Sequence, residues 1–169
     1  MVSRSTKIAR AGIIACLYVS LTLAFQPIGY GPIQARISEC LCILPLFYAE
    51  AIPALFIGCI IANIFGGGIY DILLGSLATL LAATATYLIG KAMKKDGKIL
   101  KPLFGSLPPV LFNAAIIPVV LILCGIAEYT YWVQFALIAG GEALVIIPFG
   151  MLLYHLIRMF RKKNTAGFL

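Results

Sequence analysis

Glu142 stands ten residues past Trp132 inside a long apolar run, about 15 Å in at the helical rise of 1.5 Å per residue. A charged side chain near the middle of a bilayer costs about 2.5–3.5 kcal/mol on insertion scales. A carboxylate there needs a ligand, a partner or a proton. Ala139, Gly140 and Gly141 precede it and are small enough to let a helix or a bound molecule come close. No basic residue is near it in sequence, so a partner must come from elsewhere, with Arg36 the leading candidate. Arg36 and Glu39 are three apart and share a face if the segment is helical. They read either as a structural ion pair at the mouth of the bundle or as two ligand-binding groups. Gln34, just before them, adds an amide donor and acceptor. Asn63 lies near the end of an apolar run, where a buried amide must find partners. It either caps a neighbouring backbone or binds a planar heterocycle. Asp71 opens another run and reads as a helix cap or a ligand contact. Gln34, Arg36, Glu39, Asn63, Asp71 and Glu142 form the candidate substrate-binding set.

Other chemistry is thin. Glu50 precedes Pro53 and suits a helix start, where a negative charge is favoured. His155 is the single histidine and falls near the inner end of the last run, which suits an interfacial role. Cys40 and Cys42 are two apart. On a helix that spacing points to different faces, so neither a metal pair nor a CxxC redox centre results. The cysteines read as small buried hydrophobes. Metalloprotease, hydrolase-elbow and nucleotide-binding motifs are missing. No catalytic residue, metal or cofactor is expected, and any ATP hydrolysis falls to another subunit.

The elements that must position these groups follow from the composition. Of 169 residues, 62% are hydrophobic and 11% charged, against about a quarter charged in soluble domains. Too few charges remain to cover a soluble surface. Apolar runs lie at about 8–25, 37–49, 51–65, 72–90, 107–127 and 132–159. Four suit a bilayer crossing of about 20 residues. The second and third are shorter, and form either tilted spans or a re-entrant hairpin. The expected fold is all-α: one polytopic integral membrane domain of six transmembrane helices. The first run follows Arg4, Lys7 and Arg10 without a clear cleavage site and reads as a retained span.

The net charge of +7 clusters beside apolar runs: Arg4, Lys7 and Arg10; Lys91, Lys94, Lys95, Lys98 and Lys101; Arg158, Arg161, Lys162 and Lys163. With six spans all three clusters fall on one side, which the positive-inside rule makes cytoplasmic together with both termini. This distribution excludes a nucleic-acid face, which needs its charge on a soluble surface. The Pro- and Gly-rich stretch 26–34 reads as an ordered lid on the other side, and Gly66-Gly-Gly68 as a tight turn.

The stretch 33–45, Ile-Gln-Ala-Arg-Ile-Ser-Glu-Cys-Leu-Cys-Ile-Leu-Pro, resembles the QueT family of queuosine-precursor transporters, together with Gly58–Asn63 and Asp71–Thr79. The resemblance runs from about Lys7 to Arg158. It implies an S component of an energy-coupling factor (ECF) transporter: a six-helix protein in the cell membrane that captures its ligand outside. Such a component docks on a transmembrane T subunit that works with two ATPase subunits. It further implies a 7-deazaguanine ligand such as preQ0, preQ1 or queuine. Ala11 and Ala15, in Ala-Gly-Ile-Ile-Ala, match the family's small-residue docking step for the T subunit. Two alternatives stay open: an S component for another vitamin, and an autonomous carrier driven by protons through Glu142.

Overall fold

The computed structural model describes residues 3–29, 34, 36–93 and 97–166. Every regular element among them is helical. Helix α1 (Arg4–Ala24) begins at Ser3, whose Oγ accepts from the Thr6 amide at 3.2 Å and so satisfies one of the orphan donors of the first turn. A short helix α2 (Gln26–Gly29) follows. The rest of the expected lid, 30–33 and 35, lies outside the described residues.

The second apolar run departs from expectation. It forms a ten-residue 3₁₀ segment (Ile37–Leu46) instead of an α-helix, and Ser38 through Pro45 are all buried. Such segments seldom exceed four residues; here α1, α4, α5 and α6 pack against it from the sides. A 3₁₀ helix rises about 2.0 Å per residue, so ten residues cover about 20 Å, further than an α-helix of that length. Its exact threefold repeat also lines up residues three apart.

Helix α3 (Ala51–Gly66) returns antiparallel. A π turn (Asp71–Gly75) leads into α4 (Ser76–Ala92). Helix α5 (Leu100–Leu123) starts seven residues earlier than its apolar run and ends before it. Pro102 fits its first turn. Pro109 removes the amide that would bond the Gly105 carbonyl, and Thr86 of α4 donates to that carbonyl at 3.0 Å instead. Helix α6 runs Tyr131–Ala166, beyond the expected end at 159.

Two ends can be told apart. At one, Arg10 binds Glu50 at 2.6 Å and stacks over Tyr48, Arg161 lies over Phe47, and Tyr154 donates to the Gly97 carbonyl. The described basic groups thus gather at the end where the 3₁₀ segment turns into α3. At the other end Arg36, Asn63 and Asp71 meet. Among the described residues four helices are long and apolar enough to cross a membrane: Arg4–Ala24, Asp71–Ala92, Leu100–Leu123 and Tyr131–Lys162. The 3₁₀ segment and α3 are shorter, yet both limbs run between the same two ends. The outward surface carries Ile8, Ile13, Leu73, Leu144 and Phe160, each more than 60% exposed. Apolar cover on this scale suits lipid and not water.

Candidate functional site

The polar residues that the sequence singles out are drawn into one buried system. Gln34 has φ +51°, a left-handed conformation that costs a non-glycine residue of order 1–3 kcal/mol and clusters at binding sites. Its side chain is buried and its Oε1 accepts from Arg36 Nη2 at 3.1 Å. The same guanidinium donates to Asp71 Oδ1 at 3.0 Å and, through Nε, to the Gly29 carbonyl at 3.4 Å. The expected Arg36–Glu39 ion pair is therefore replaced by Arg36–Asp71. Asp71 does act locally as a cap, accepting the Gly68 amide at Oδ2, 3.4 Å away, while its other oxygen serves Arg36.

Asn63 caps a backbone, donating to the Asp71 carbonyl at 2.8 Å. The π turn makes the room. A Cβ on Gly75 would stand 3.3 Å from Asn63 Nδ2 and 3.6 Å from Arg36 Nη1, so the side chains close over a bare backbone. Such wide turns recur at functional sites.

One 3₁₀ turn further along, about 6 Å at that rise, Glu39 is fully buried. Tyr18 Oη donates to its Oε1 at 2.5 Å and Thr79 Oγ1 at 2.8 Å. Cys42, the next residue on the 3₁₀ line, donates from Sγ to Oε2 at 3.1 Å. Cys59 accepts from Thr79 and Asn63, each at 3.4 Å. Cys42 and Cys59 are thus part of the polar system, and Cys16 is exposed; the expectation of inert buried cysteines holds for none of these three. Beside this layer Thr22 of α1 donates to Ser38 Oγ at 2.7 Å. Among the described residues no cluster of His, Cys, Asp or Glu is arranged to hold a metal ion.

Glu142 of α6 is buried, but its direct partner is Asn113 of α5 and not Arg36. Asn113 Nδ2 donates to both carboxylate oxygens, at 3.0 and 2.9 Å. Glu142 remains within electrostatic reach of Glu39 and Arg36. Asn113 Oδ1 and Ser76 Oγ, both buried, have no hydrogen-bond partner among the described residues. A buried acceptor without a donor costs about 1–3 kcal/mol. These two atoms mark where a bound molecule has hydrogen bonds to complete.

Tyr18, Thr79 and Asn113 were not anticipated. An amide in the middle of a long apolar stretch was the available signal for Asn113. Tyr18 and Thr79 carry no such signal, because Tyr and Thr are ordinary in membrane helices. Glu50 is structural, bound by Arg10. His155, at the basic end, donates from or accepts at Nδ1 with the Met151 carbonyl, 2.7 Å away.

Ala11 and Ala15 are half-buried. A Cβ on Gly58 of α3 would lie 3.1 Å from the Ala15 carbonyl oxygen and 3.3 Å from its Cα. The small step at Ala15 is therefore used within this chain, to seat α1 on α3.

Residues 8–159 match the family model described as QueT transporter. The chain is 32% identical over 146 residues to "Queuosine precursor transporter QueT" of Lactococcus lactis subsp. cremoris (strain MG1363), covering 83% of this chain and 85% of that relative. No solved structure matches it.

Proposed function

The chain belongs to the QueT transporter family, a family of membrane transporters and not of enzymes, and from that premise we propose that it captures a 7-deazaguanine queuosine precursor as the S component of an ECF-type importer. The observation that carries the ligand reading is the balance of the buried system. Three carboxylates, Glu39, Asp71 and Glu142, share one described guanidinium, Arg36, and Asn113 and Ser76 hold acceptors still to be matched. Such a site asks for hydrogen-bond donors. The edge of a 7-deazaguanine presents two adjacent N–H groups that one carboxylate can accept as a pair, and its carbonyl can take the Arg36 or Gln34 donors. The surplus of carboxylates further favours the precursor with a cationic aminomethyl arm, preQ1, over the nitrile preQ0.

In this reading the molecule crosses the membrane six times, with the 3₁₀ segment and α3 as its two short crossings and the basic end with both termini in the cytoplasm. Arg36, Asn63 and Asp71 then face outward, where a captured ligand enters. Helix α1 is the docking element for the T subunit. Only 17% of its most apolar stretch is buried, against 56% for α5, so it leaves a broad face uncovered. Ala11 and Ala15 border that face. Gly12 stands in the open, with nothing within 4 Å of a Cβ there. Gly12→Trp should block co-purification with the T subunit while sparing ligand affinity, and a complex that survives the change would remove α1 from the docking surface.

Calorimetry on the purified chain with preQ1, preQ0, queuine, riboflavin and biotin tests the ligand. Saturable binding of a 7-deazaguanine, tightest for preQ1, is expected. A response to riboflavin or biotin alone would overturn the ligand. Uptake that persists in cells lacking the ECF ATPases would replace the S-component role with a proton-driven carrier.

A further inference from the structure

At the basic end, away from the site above, a cavity of about 160 Å³ is lined by Lys98, His155, Arg158, Met159 and Lys162. That is room for about five waters at 30 Å³ each, or for one tetrahedral anion with part of its shell. Three cations converge on it from two parts of the chain. Lys98 comes from the segment before α5, the others from consecutive turns of α6, and no carboxylate is among the lining residues. The contact of His155 Nδ1 with the Met151 carbonyl protonates that nitrogen and leaves Nε2 as the ring atom open to a ligand.

Depth identifies the source of the anion. Trp132, with Tyr131 stacked edge-on against it, begins α6 in the manner of an interfacial aromatic belt. His155 is 23 residues further on, about 35 Å at 1.5 Å per residue. This passes the roughly 30 Å of hydrocarbon and reaches the headgroup layer. On the membrane side of the cavity, Leu152, Leu156, Ile99 and Leu100 are exposed, an apolar track of the kind an acyl chain covers. Basic residues at a helix C-terminus also complement the helix dipole and orient the protein. Neither role requires a concave pocket or the convergence of Lys98 on α6.

We propose that this cavity binds a phosphate-bearing anion, and that in the membrane its occupant is the headgroup of an anionic phospholipid. Basic pockets beside membrane helices recognise such headgroups through charge and hydrogen bonds to the phosphate oxygens. The inference stands apart from the ligand reading of the outer site, and its test contains no 7-deazaguanine.

Native mass spectrometry of the full chain, titrated with phosphatidylglycerol, phosphatidylcholine or inorganic phosphate, reads it out. One saturable phosphatidylglycerol adduct per chain is expected, with phosphatidylcholine far weaker. Each surface lysine contributes about 1 kcal/mol toward an anionic lipid, so each substitution should weaken binding about fivefold. The pair Lys98→Gln with Lys162→Gln should lower phosphatidylglycerol affinity about 25-fold by the same arithmetic. Lys98→Arg with Lys162→Arg should retain it, and Lys7→Gln with Lys91→Gln should not change it. Adducts that persist equally in the glutamine pair, or equal binding of phosphatidylcholine by the unaltered chain, would overturn the site. Inorganic phosphate binding with the same loss in the glutamine pair, but no phosphatidylglycerol adduct, would overturn the lipid and leave a free anion as occupant. The unaltered chain reports on lipid selectivity even if a variant fails to fold.

Discussion

Arg36–Asp71 and Arg10–Glu50 are the same chemical pair at opposite ends of the molecule. The second is shorter, 2.6 Å against 3.0 Å, but distance is a poor guide to what each contributes. The Arg10 and Glu50 side chains are 29% and 16% exposed; Arg36 is 2% exposed and Asp71 13%. Water and headgroups can replace a lost contact at the basic end. Around Arg36, the Gln34 amide, the Gly29 carbonyl and Asp71 all depend on one guanidinium. One end holds the molecule in place, whereas the other holds a charge arrangement that a ligand can use.

The largest effect should come from Arg36→Ala. Breaking a buried pair by removing one partner costs about 3–5 kcal/mol because the remaining charge is stranded. Unfolding in detergent should show that loss together with abolished ligand binding. A variant as stable as the parent would place Arg36 in contact with water and erase the contrast between the two ends.

Glu142→Gln should come next and should act on affinity more than on stability. Glu142 is held by Asn113 alone among the described residues, so its carboxylate has capacity left for a ligand. Losing a charge-assisted bond costs about 1.5–3 kcal/mol, or roughly 10- to 150-fold in affinity by calorimetry. Glu39 is equally buried, which corrects the expectation that it lies nearer the mouth. Tyr18, Thr79 and Cys42 already occupy its oxygens, so Glu39→Gln should lower the unfolding midpoint more than Glu142→Gln does. The reverse order in both measurements would exchange the roles of the two carboxylates.

Gly75→Ala should be milder, because the added Cβ meets Asn63 Nδ2 at 3.3 Å and the amide must give by a few tenths of an ångström. Ligand affinity should fall by less than Glu142→Gln produces, with the fold retained. Glu50→Gln should be mildest, within the 0–1 kcal/mol of exposed ion pairs. Exchanging the charges, Arg10→Glu with Glu50→Arg, should restore parental stability. The corresponding exchange at Arg36 and Asp71 should not, since an arginine at 71 cannot recover the bonds to Gln34 and Gly29.

Much of this was legible in the chain itself. Charges are so costly in hydrocarbon that Arg36, Glu39, Asp71 and Glu142 stand out from an apolar background. Asn63 and Gln34 stand out for the same reason in weaker form. The basic clusters mark one end because lysine and arginine sort by side. Pairings were less legible. The Arg36–Glu39 pair assumed α-helical geometry, and the Glu142–Arg36 pair assumed that opposite charges in lipid must meet. Asn113 was passed over because one amide costs far less in a helix than one charge.

Sequence by itself determined that this chain is a bundle of apolar helices with a handful of buried polar groups, because hydrophobic length and the expense of charge are properties of residues one at a time. Only the tertiary structure decided that the segment Ile37–Leu46 winds as a 3₁₀ helix, since packing on several sides, and not propensity, selects its narrow form. That winding sets Glu39 and Cys42 on one line below Arg36. With the π turn opening at Gly75, it leaves Arg36 to Asp71 and Glu142 to Asn113, partners 35 and 29 residues away in sequence.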